Sequence, residues 1–225
     1  MSLVILGDSH TQIYHQTDYL KTKFNNIYIH FIDYENAKRT GTFSPYLMNT
    51  LSNTGDIILQ DYFIKYNNVN YMMFVFGEPD VRIHFNKQIN ILGRDEDEVI
   101  NTLCTKYIIK LEEIRNKYLP TTRIIIRYIL PSREHSYFNA SGVDYIPQGK
   151  LEDRVRYTSK MNNKFKELCQ KYINILFLEN IMYLELTKLN GEIKDEFVVD
   201  QTHYNINSVN LLNKELEFFF NTNKT

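Results

Sequence analysis

Serine, aspartate and histidine at opposite ends of this chain have the types and spacing for covalent acyl chemistry. Ser9 follows Leu3-Val4-Ile5-Leu6-Gly7-Asp8, an apolar run closed by a glycine. A serine hydroxyl becomes a nucleophile when a base within hydrogen-bond reach takes its proton and a third group holds that base in the right tautomer. Asp200-Gln201-Thr202-His203 offers both partners. Three positions apart just before a helical pattern, the carboxylate can meet one imidazole nitrogen while the other faces the sheet edge. Each motif alone also fits a tight turn, or a helix cap beside a surface histidine; together they make a candidate nucleophile, acid and base.

The elements that must bring these ends together can be read in order. Leu3–Leu6 reads as a short strand buried in a parallel sheet, which leaves Ser9 at the carboxyl end where open α/β sheets bind ligands. Ile13–Phe24 reads as a returning helix and Ile27–Ile32 as a second strand. Asp33–Thr42 is a polar loop, and Ser44-Pro45 opens a short helix through Leu51. Gly55-Asp56 reads as a break, and Ile57–Tyr66 fits either a strand or a helix. The run Tyr71–Phe76 predicts a central strand, followed at once by Gly77-Glu78-Pro79-Asp80. Asp95–Glu98 opens a long helix whose acidic first turn opposes the positive end of the helix dipole, with Ile100, Leu103, Tyr107, Leu111 and Ile114 on one stripe. Arg123–Leu130 is a fourth strand.

The polar stretch 131–150 is either a lid or substrate rim, or an insertion without order. Arg133, Glu134 and His135 within it read as solvated surface. Glu152–Tyr172 is a second long helix and Ile173–Leu178 a fifth strand. Asn190-Gly191 marks a tight hairpin turn. A final helix over Ser208–Phe220 turns Val209, Leu212, Leu216 and Phe219 inward. Alternating strands and helices predict one domain over 1–225, a three-layer α/β/α sandwich around a mainly parallel five-stranded sheet.

Composition narrows the function classes. In 225 residues, 26 Lys and Arg balance 27 Asp and Glu, for a net charge of -1, so no global field favours nucleic acid. Cys104 and Cys169, the only cysteines, fall in helical patterns without metal-ligand spacing and read as buried free thiols. No metal or organic cofactor is called for. With no run long enough for a signal peptide or a membrane span, the expectation is a soluble cytoplasmic protein with no membrane insertion.

With Gly7-Asp8-Ser9 after the first strand and Asp200-x-x-His203 before the last helix, the chain resembles the SGNH, or GDSL, hydrolase family of serine esterases and lipases. The resemblance implies a flavodoxin-like fold, Ser9 as nucleophile, His203 as base and Asp200 as its orienting acid. It implies too that Asp8 bonds the turn that aims Ser9, and that the N–H groups of Ser9 and Gly41 bind the oxyanion. The family's third block, Gly-x-Asn-Asp, is here Gly77-Glu78-Pro79-Asp80, and proline has no hydrogen to donate where the asparagine would. Losing one such donor costs about 100- to 1000-fold in turnover. If the next residues continue extended from the strand, Arg82 and His84 share a side with Asp80, toward the active edge. Arg82 then either replaces the missing donor or grips an anionic substrate, or forms a structural ion pair with Glu78 or Asp80. His10, beside the nucleophile, either touches substrate or faces away.

The reading that joins these features is a serine esterase acting on small acyl esters of a sugar or another polar substrate. Acyl transfer to a sugar hydroxyl would use the same residues. A binding module that keeps the fold but has lost turnover is the reading from a different class, and Pro79 motivates it.

Overall fold

A computed structural model describes residues 1–32, 48–131, 133–134, 148–198 and 204–223. Five strands, β1 (Ser2–Gly7), β2 (Asn26–Phe31), β3 (Tyr71–Val75), β4 (Arg123–Arg127) and β5 (Ile175–Leu178), form one sheet in the order β2-β1-β3-β4-β5. Every neighbouring pair is parallel, with Leu3 opposite Tyr71 and Gly7 opposite Val75. A parallel sheet needs cover on both faces, which is why its strands read as unbroken apolar runs.

The two-residue period of a strand sorts side chains between the two faces. Val4, Leu6, Met72, Phe74, Ile124 and Ile126 face one core. That core is closed by α2 (Met48–Ile58), α3 (Gln60–Lys65), α4 (Glu96–Tyr118) and α5 (Leu151–Cys169). Leu3, Ile5, Met73 and Ile125 face the other core. It is closed by a 3-10 helix (Ser9–Gln16), by α1 (Asp18–Lys23) and by the last helix. After β5 come a single turn, α6 (Tyr183–Leu186), and the last helix, α7 (Val209–Thr222). Val209, Leu212, Leu216 and Phe219 of α7 are buried, as their spacing predicts. The expected three-layer sandwich is the fold observed.

Several local expectations change. Gly55-Asp56 does not break the chain: α2 runs through it to Ile58, since one glycine inside a helix costs only about 1 kcal/mol and the packing of α2 on α4 outweighs it, and of the two readings open for 57–66 the helical one holds. The first returning helix is split at Thr17 into a 3-10 segment and α1. Asp80–His84 does not continue β3 outward. It winds with π-helical spacing, as does Asn86–Ile91 after it. The strand alternation expected of Asp80, Arg82 and His84 is therefore absent. Gly191, at positive φ (81°), makes the expected turn, closed by the bridge between Thr187 and Ile193. Cys104 and Cys169 are buried free thiols.

Two glycines carry opposite requirements. A Cβ on Gly7 would sit 2.3 Å from the Val75 carbonyl oxygen, backbone that cannot yield, whereas one on Gly55 would meet Leu51 and Ile114 at 3.7 and 3.8 Å, ordinary contact. Gly55→Ala is expected to stabilise the protein by about 0.5–1 kcal/mol through the entropy of the unfolded chain. Gly7→Ala is expected to destabilise it by about 1–3 kcal/mol. Urea denaturation midpoints check both signs.

Candidate functional site

The chain leaves β1 toward β2 on one side and comes back as β3 on the other. The carboxyl ends of β1 and β3 are therefore the switch point of the sheet, where the crevice of an open α/β fold lies. Ser9 follows β1 there and Glu78 follows β3. The turn between strand and serine is bonded on both sides. The Gly7 carbonyl accepts from Ile32 N–H (2.8 Å) and the Asp8 N–H donates to the Val75 carbonyl (3.1 Å). Asp8 Oδ1 accepts the His10 N–H (3.0 Å), while Thr11 donates its N–H and its hydroxyl to the Asp8 carbonyl. The aspartate thus caps the 3-10 helix that Ser9 begins, the turn-forming role expected of it. Burial raises the Asp8 carboxyl above its ordinary pKa against the pull of His10.

His10 is buried and faces inward, its Nε2 3.7 Å from Glu78 Oε2. The same oxygen lies 3.2 Å from Arg82 Nη2, so Glu78 stands between an imidazole and a guanidinium. This i,i+4 pair is the ion pair weighed for Arg82 from the sequence. Asp80 lies below it, fully buried, with Oδ2 accepting the Met48 N–H at the start of α2 (2.8 Å). Burial pushes its pKa up to about 7, against the N–H groups of Met48 and Asn49, and the charge of Asp8 adds to the rise. His84 packs beside the Phe85 ring, and burial followed by the charges of Lys87 and Arg94 lowers its pKa. The structure gathers Ser9, His10, Glu78 and Arg82 at one edge, with Asp80 as a helix cap beneath. Asp200, His203, Gly41 and His135 lie outside the described residues, as does most of 131–150.

Val198 and Tyr204 stand on either side of the segment that carries the Asp200–His203 motif. They pair in an antiparallel bridge. Tyr204 packs its ring 5.4 Å from the guanidinium carbon of Arg127, the last residue of β4. The rings of Tyr14 and Tyr128 lie 5.6 and 4.7 Å from the same carbon. Tyr128 donates its hydroxyl to Glu215 Oε2 (2.8 Å), and Glu215, buried on α7, has its pKa pushed up to about 7 by that burial. Sequence reading passed over this group. Its one signal was Glu215, an acid within the apolar stripe between Leu212 and Phe219.

Beside Arg82, a cleft of about 630 Å³ opens at the start of α5, lined by Glu134, Lys150, Glu152, Arg154 and Asn190 among others. Gln148 N–H bonds the Arg82 carbonyl at 2.7 Å, and Arg154 senses the charges of Glu78 and Arg82, so the cleft adjoins the Glu78 group. Arg133 is not solvated surface: it pairs with Asp195 at 2.6 Å, and its carbonyl accepts from the buried Arg154. Among the described residues, no cluster of His, Cys, Asp and Glu could hold a metal, and no helix is long and apolar enough to cross a membrane.

No protein-family model matches the chain, and no curated protein matches it. Solved structures do. A Streptococcus pneumonia protein proposed to be a platelet activating factor superposes with TM-score 0.60 at 19% identity, over 96% of this chain and 82% of that one. A GDSL-like lipase from Bacteroides thetaiotaomicron gives 0.55 at 12%, over 98% and 88%. A proposed SGNH hydrolase from Slackia heliotrinireducens gives 0.52 at 11%, over 98% of each chain. The chain has the SGNH hydrolase fold, the architecture its end motifs imply.

The buried carboxyl of Asp80 makes stability depend on pH. Its proton is lost near 3.8 in the unfolded chain but near 7 in the folded one, so between those values the folded state binds more protons. Stability therefore falls as pH rises from about 4 to about 7, by about 1.4 kcal/mol per pH unit for this group, and levels off above. Glu215 adds a second slope of the same sign. The raised carboxyl of Asp8 acts in the same direction, so Asp80→Asn should flatten the profile in part, measured by urea unfolding across that range.

Proposed function

We propose that this protein is a serine esterase, with Ser9 as nucleophile, His203 as general base and Asp200 as the acid that orients it. The observation that carries the reading is Ser9 at the switch point of an SGNH hydrolase fold, on a turn capped by Asp8. In this reading His203 takes the Ser9 proton as the hydroxyl attacks the ester carbonyl, and Asp200 stabilises the imidazolium. The N–H groups of Ser9 and Gly41 hold the oxyanion, the alcohol leaves with the proton from His203, and water then releases the acyl group.

The cleft next to Arg82 is lined mainly by charged and amide side chains. That lining favours a polar alcohol portion, a sugar or similar polyol, over a long acyl chain. The substrate is accordingly assigned as a small acyl ester of such an alcohol. Arg82, steadied by Glu78, supplies the positive charge in place of the hydrogen bond that Pro79 cannot donate.

A fluorophosphonate probe is expected to modify Ser9, located by mass spectrometry, and the rate should fall roughly 10²- to 10⁴-fold in His203→Ala. Ser9→Ala should lower ester turnover about a thousandfold or more. Undiminished hydrolysis by Ser9→Ala would refute the assignment; ligand binding without labelling or turnover in the native protein would favour a binding module on the same fold. Arg82→Ala should lower kcat on acetylated sugars by about 10- to 100-fold, and full turnover on every ester tested would remove Arg82 from the reaction.

A further inference from the structure

We propose that Arg127 is a positioning residue, a clasp that holds the 3-10 helix begun by Ser9 in fixed relation to Tyr204, the residue that directly follows His203. The catalytic part of this inference rests on the reading above; the structural part does not. Arg127 is 2% exposed, and its guanidinium is under-supplied with hydrogen bonds. Nη2 reaches the Tyr128 hydroxyl only at 3.5 Å, and Nε has no hydrogen-bond partner among the described residues. Among the described residues, the charge is supported by the π faces of Tyr14, Tyr128 and Tyr204, by Glu215 one hydrogen bond beyond Tyr128, and more weakly by the carboxyl of Asp8. Cation–π attraction strengthens when the cation is desolvated, as here.

Each ring belongs to a different part of the site. Tyr14 stands in the 3-10 helix that Ser9 begins. Tyr204 directly follows His203 and pairs with Val198, so it anchors one end of the segment between them. Tyr128 links the clasp to α7 through Glu215. Among the described residues the Tyr14 hydroxyl is buried with no hydrogen-bond partner and the Tyr204 hydroxyl faces only that of Tyr128, so hydrogen bonds from outside the cage do not hold the two rings in place. Moving either ring away would leave a buried guanidinium with less compensation, an expensive state in a low-dielectric interior. The charge therefore fixes both rings. Arginine suits the position because its flat, weakly hydrated guanidinium stacks on several aromatic faces, which a lysine ammonium does not.

Arg127→Met removes the charge and keeps much of the bulk. If it does not fold, Arg127→Met combined with Glu215→Gln removes the charge and its counter-acid together. Phe63→Leu, in the core on the opposite face of the sheet, serves as a destabilised control. Hydrogen exchange is read by mass spectrometry on peptides covering 9–17 and 198–208, well below each variant's melting midpoint. Both peptides should exchange about tenfold faster in the Arg127 variant and at native rates in Phe63→Leu. Esterase kcat should fall about 10- to 100-fold with KM unmoved, and Arg127→Lys should restore only part of it.

Native exchange in either peptide of a folded Arg127→Met protein would overturn the clasp. So would a kcat loss no larger than that of Phe63→Leu at matched stability. If the native protein labels no serine and cleaves no ester, while both peptides still loosen together, the clasp stands and the esterase assignment falls.

Discussion

The closest constraint in this molecule is the approach of β1 to the end of β3. Gly7 lies so near the Val75 carbonyl that no side chain fits, and the next amide, on Asp8, bonds that same carbonyl. The chain leaving β1 is thereby pressed against the chain leaving β3. The residues that follow on each, Ser9 with His10 and Glu78 with Arg82, have to share one edge. The edge is polar because these residues are, but their meeting there is a property of the backbone.

Charge inside the protein is arranged asymmetrically around that edge. On one face of the sheet, Asp80 is buried with backbone N–H groups of α2 as its partners and, among the described residues, no cation beside it, and it holds its proton to near neutrality. On the other face, Arg127 is buried with rings as its main partners and Glu215 as a distant, weakly acidic counter-charge. Both solutions avoid an isolated full charge in the interior, one by neutralising it and the other by surrounding it with polarisable faces.

The sheet and its covering helices were legible in the residues because buried parallel strands leave apolar runs and amphipathic helices leave a period of 3.6. The Asp8-Ser9 turn was legible for a related reason: the requirement is local, and Gly7 writes it. Three features were not. Gly55 looks like a break in any one-dimensional reading, because the reason it is tolerated is the neighbouring helix α4. Asp80–His84 looks like a strand continuing outward, because nothing in five residues announces π-helical winding. The Arg127 cage is drawn from positions 14, 127, 128, 204 and 215, whose proximity exists only once β4, the 3-10 helix and α7 have packed.

The order of the strands also shapes how such a molecule is made. β1 is synthesised well before α7, yet Leu3 and Ile5 are covered in part by Leu212, Leu216 and Phe219 of that helix. At about 5–20 residues per second, one face of the first strand stays bare for roughly ten seconds or more while the residues between the two elements are made. During that interval the growing polypeptide carries an uncovered apolar surface of the kind that chaperones recognise. The half of the sheet facing α2, α4 and α5 can close earlier, so the layer that holds Tyr14, Arg127 and Glu215 is the last to become dry.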